Sequence, residues 1–139
     1  MNTNDMNWIV FVRVITRLIA FALIAEALFS ALRLATLLPQ LGIYDPLAIG
    51  LIVARGALGA LQFTGGWMLA NHRPAGPVLA RWALAGGAVL TVLDVGFRLA
   101  PSNVYYWYRW QYTGAYLAYA AMAIAVLSRY RSINGSMDR

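Results

Sequence analysis

The sequence predicts an all-α integral membrane protein: an antiparallel four-transmembrane-helix bundle with a partly polar, arginine-rich interior in its outer half. Three observations carry this expectation. The 139-residue chain is 61% hydrophobic and 12% charged, with a mean hydropathy of +0.62, whereas soluble domains run at about 25% charged and 45–50% apolar residues. Nearly all of the apolar residues fall in four stretches long enough to cross a bilayer, for which about 20 residues suffice. Short proline-containing breaks separate the stretches, so sequential helices are expected as antiparallel neighbours.

The first span covers residues 8–38 and is closed by Pro39. It is too long for a signal-peptide core, holds Arg13 and Arg17, and has no small-x-small cleavage site, so it is expected to remain attached. The second covers residues 46–70, with Asp45 as N-cap and Pro46 at the first helical position. "NHRPAGP" at 71–77 reads as a turn, and Pro77 opens the third span, residues 77–100. Pro101, Ser102 and Asn103 end it and cap the fourth, residues 103–128. Residues 1–130 thus form one four-helix domain, followed by a polar cytoplasmic tail, "RSINGSMDR" at 131–139.

All eleven basic residues are arginines, giving a net charge of +6. Most lie in or beside the apolar runs and not on a solvated patch, so nucleic acid is not an expected partner. Arg13, Arg17, Arg73, Arg81, Arg129, Arg131 and Arg139 gather on one side; Arg33, Arg98 and Arg109 lie on the other. The richer side should be cytoplasmic, which places both termini inside, in a bacterial-type inner membrane. Trp8, Trp67 and Trp82 fall at the inner interface, and Trp107 and Trp110 at the outer one, as an interfacial belt.

With no cysteine, disulfide exchange, thiolate metal sites and iron–sulfur clusters are excluded. His72 is the only histidine and lies in a loop, so no intramembrane histidine is present for haem or metal. No metal or cofactor is expected.

Glu26, Arg55 and Asp94 fall inside the spans, where each charge costs about 2.5–3.5 kcal/mol at mid-bilayer. Helical phase puts Glu26, Ser30 and Arg33 on one face of the first span, and Arg55, Gly59, Gln62 and Gly66 on one face of the second. On the third, Gly87, Thr91, Asp94 and Arg98 align, the last two at ion-pair spacing. In "VYYWYRWQYTGAY" at 104–116, a stripe of Arg109, Tyr112 and Tyr116, continued by Tyr119, separates from the tryptophans and descends towards mid-membrane. Glu26, Arg33, Arg55, Gln62, Asp94, Arg98, Arg109, Tyr112, Tyr116 and Tyr119 are therefore expected to form one interior network. It serves either as an ion-pair tie between helices or as a site whose surplus positive charge, at Arg55 and Arg109, receives an anionic group. Arginines beside both acids would hold them ionised.

The small size and the lack of a nucleophile–base pair favour a non-enzymatic accessory or structural subunit of a larger membrane complex, holding a lipid or other anionic ligand, with a bound lipid or quinone as the one cofactor to be considered. Membrane lipids, other membrane subunits or further copies of the chain are the expected partners. The second reading is a small oligomeric transporter or channel for an anionic or amphipathic solute. The third is a lipid- or quinone-modifying enzyme that uses the tyrosines as acids.

Overall fold

The computed structural model describes residues 3–37, 46–96 and 106–137. Every regular element among them is a helix: α1 (Thr3–Leu37), α2 (Pro46–Ala70), α3 (Gly76–Gly96) and α4 (Tyr106–Met137). Three breaks were expected from proline and asparagine: the one at 71–75 separates α2 from α3, and the other two lie outside the described residues. Helix α4 departs from expectation at its far end: it runs through Met137, into the stretch assigned to a polar tail. No proline interrupts "RSINGSM", and adding residues to a helix already nucleated needs no new nucleus, so the helix continues although Asn134 and Gly135 favour it little.

Contacts between the helices run in opposite residue order, which makes sequential neighbours antiparallel. Gly59 faces Ser30 of α1, while Gly66, two turns further on, faces Ala20. Gly65 faces Ala80 of α3 and Gly86 faces Leu58. Helices α1–α2, α2–α3 and α3–α4 pack along their lengths, and α1 meets α4 over a narrower front. Helix α2 is gripped from both sides where it carries adjacent glycines. A Cβ at Gly66 would lie 2.8 Å from the Ala20 carbonyl oxygen, and one at Gly65 would lie 3.0 Å from the Ala80 nitrogen. Only glycine permits this approach of backbone to backbone.

The turn at 71–75 is tightly specified. Arg73 N–H donates to the Met68 carbonyl at 2.9 Å and His72 N–H to that of Leu69 at 3.2 Å, the pair of bonds that ends a helix in a Schellman motif. His72 occupies the left-handed position, with φ of 54°, where glycine is usual.

Polar and apolar groups are separated along the bundle axis. The core, comprising Ile19, Ala20, Leu23, Leu69, Ala80, Ala83, Leu84, Ala120, Ala123 and Leu127, fills the half nearest this turn. Glu26, Arg55, Gln62, Asp94 and Tyr116 occupy the other half. The outside is apolar: Phe21, Phe29, Leu32, Val53, Trp67, Trp82, Val89 and Met122 are all exposed. Among the described residues, 7–36 of α1 and 76–96 of α3 are each long and apolar enough to cross a membrane.

Candidate functional site

The polar half resolves into two clusters. In the first, Arg55 Nη2 of α2 lies 2.6 Å from Asp94 Oδ2 of α3. The two side chains retain 23% and 15% of their exposure, so the pair is largely withdrawn from the surface. Asp94 Oδ1 is buried and has no hydrogen-bond partner. Arg55 also borders a groove of about 220 Å³ between α1 and α2, walled by Ala27, Ser30, Gly56, Gly59 and Phe63.

The second cluster is built around Glu26 and joins three helices. Gln62 Nε2 of α2 donates to Glu26 Oε2 at 2.7 Å, and the Tyr116 hydroxyl of α4 donates to the same oxygen at 3.2 Å. Gln62 is 3% exposed, and its Oε1 is buried without a partner, as is the Tyr119 hydroxyl. Tyr119 lies edge-on to Tyr116, ring centres 6.0 Å apart at 61°. Tyr116 reaches across α3 through a notch at Gly87, where any Cβ would overlap the tyrosine hydroxyl. A residue with a side chain at 87 would push the ring away from Glu26.

The single network expected from sequence is therefore divided. The acids have different partners: Asp94 is bonded to a cation, whereas the two donors to Glu26, Gln62 and Tyr116, are neutral. Arginine compensation of both acids was expected, and the structure provides it for Asp94. Helical phase gives the face of each residue but not its partner, which depends on depth along neighbouring helices.

Tyr112 stands apart from the network at 83% exposure. Among the described residues of α4, those buried are Thr113, Ala120, Ala123 and Leu127; at about 100° per residue their mean direction lies about 60° from Tyr112. Tyr119 is half-buried against the core. Arg33 is exposed, and its carbonyl accepts from Thr36 Oγ1 at 2.9 Å. Arg109 is half-buried, with its carbonyl taken by Thr113 Oγ1 at 2.9 Å. Arg98 lies outside the described residues.

Of the belt tryptophans, Trp8, Trp67 and Trp82 are exposed at the end of the bundle that carries the 71–75 turn, and Trp110 is exposed towards the opposite end. Trp8 stacks on Phe11 and Trp67 on Phe63, at 5.7 and 6.4 Å. The side chain of Trp107 lies outside the described residues. Among the described residues, no three histidine, aspartate or glutamate side chains gather as a metal site.

The notch at Gly87 and the acid–amide contact were not anticipated. "ALAGGA" reads as generic close packing, and only the opposing tyrosine gives one of its glycines a particular role. No family model, curated protein or solved structure matches the chain.

Proposed function

We propose that this chain is a membrane protein crossing the bilayer with all four helices, and that it serves as a non-enzymatic subunit of a larger membrane assembly. The observation that carries this reading is the outer surface. Large apolar side chains project from every helix: Phe21 and Phe29 from α1, Val53 and Phe63 from α2, Trp82 and Val89 from α3, Leu117 and Met122 from α4. Only 28% of the apolar window of each stretch long enough to span, in α1 and in α3, is buried inside the bundle; a core helix of a water-soluble protein hides its apolar residues. Such a surface needs lipid or a protein partner around it. The groove beside Arg55 supports a role in seating a lipid chain between α1 and α2.

A transporter for anionic solutes ranks second. It relies on free positive charge at Arg55, and Asp94 at 2.6 Å offsets that charge. Purification in mild detergent followed by native mass spectrometry tests the subunit reading. Defined partner proteins at fixed stoichiometry are expected; a stable particle without partners would overturn it.

A further inference from the structure

Glu26 is the only glutamate in the chain, and its side-chain donors gather on one of its two oxygens. Both donors, Gln62 Nε2 and the Tyr116 hydroxyl, converge on the same atom, Oε2. A carboxylate has two equivalent acceptor oxygens, whereas a carboxylic acid has one acceptor carbonyl and one hydroxyl donor. The Gln62 amide, meanwhile, holds its own Oε1 buried without a donor, in a side chain 3% exposed. Buried acceptors are nearly always satisfied, so a donor is called for beside Glu26.

An ionised carboxyl consists only of acceptors and cannot supply one. A carboxylic acid can. It pairs with a primary amide through two bonds: amide N–H to the acid's carbonyl oxygen, and acid O–H to the amide oxygen. The first of these bonds is present at 2.7 Å. A single proton on Glu26 Oε1 provides the donor for the second and leaves Oε2 as the carbonyl oxygen on which Gln62 and Tyr116 converge. We infer that the Glu26–Gln62 acid–amide pair is a proton-binding site within the bundle.

The charged and titratable groups on the surrounding helices fit this assignment. On α2 the charged residue is Arg55, bonded to Asp94 of α3. On α3 the other is Arg81, whose Nη1 donates to Ser128 Oγ at 3.5 Å. Helix α4 brings Tyr116 and Tyr119, with Arg109 two turns outward; on α1 the nearest charges are Arg17 and Arg33. The site lies beyond the subunit reading and does not depend on it: a chain that purifies without partners would still carry it.

Because Glu26 is unique, labelling glutamate with carbon-13 gives one δ-carbon signal from the full chain in lipid nanodiscs. At neutral pH it is expected at the position of a carboxylic acid, moving to that of a carboxylate as pH is raised. Gln62→Met, and the milder Tyr116→Phe, are each expected to displace the signal. A carboxylate signal throughout the neutral range would overturn the inference. So would a signal that responds to sodium and not to protons, or one unmoved by both substitutions.

Discussion

At the residue scale, the tightest constraint is the meeting of Gly87 and Tyr116. Gly87→Ala forces the Tyr116 ring out of its notch, an overpacking that costs about 1–3 kcal/mol. Thermal unfolding in detergent should show this loss, and Tyr116→Phe in the same chain should return much of it, because the overlapping atom is the hydroxyl. The Arg55–Asp94 pair obeys different arithmetic. Arg55→Leu leaves Asp94 without its cation, and Asp94→Leu leaves Arg55 without its anion. The double variant removes both charges together. A double-mutant cycle is expected to give a coupling of about 0.5–3 kcal/mol, with the double variant more stable than either single substitution predicts. Additive losses would show that the pair is not coupled. The sequence reveals which charges lie inside, since Glu26, Arg55 and Asp94 interrupt otherwise apolar runs. It does not reveal who bonds whom, because several partners at similar depth fit the same helical phase.

At the scale of elements, the break between α2 and α3 is held by backbone bonds and carries one uncommon choice. His72 adopts φ of 54°, a conformation that costs a side-chain-bearing residue roughly 1–2 kcal/mol. Its ring nitrogen Nδ1 stands 3.4 Å from the Tyr130 hydroxyl of α4, an exposed contact too long to offset that cost. His72→Gly is therefore expected to stabilise the fold by about 1 kcal/mol, after allowing for the greater freedom of glycine in the unfolded chain; a lowered melting temperature would show that the histidine contact matters more than the backbone. The turn itself is legible from "NHRPAGP", but the left-handed residue is not, since Asn71 and His72 both stand where the helix ends. Helix α4 shows the complementary limit. Its polar final stretch reads as a tail, yet it continues as helix because it holds no proline and Gly135 weakens a nucleated helix without ending it.

At the scale of the whole molecule, the fold class follows from composition and punctuation, because helices with short connections leave few arrangements. What the sequence cannot display is the division into an apolar half and a polar half, since that depends on the relative depth of residues on different helices. Glu26 meets Gln62 and Tyr116 although 36 and 90 positions separate it from them along the chain. With no cysteine of its own, the protein offers a clean background for testing the proposed membrane placement. A cysteine at position 135 is expected to react with an impermeant thiol reagent only from the cytoplasmic side. Labelling from the opposite side would invert the orientation expected from the arginine bias.

The notch at Gly87 also restricts the order in which this sequence can change by descent. If Tyr116 first became phenylalanine, the severe overlap at position 87 would be gone, and a methyl group there would ask the ring to shift by only a few tenths of an ångström. Taken the other way, the first step creates an overpacked intermediate that selection would remove. In a set of related chains, alanine at the equivalent of 87 should thus occur only beside a residue lacking the tyrosine hydroxyl at 116, and the two positions should carry a shared history that neither shows alone.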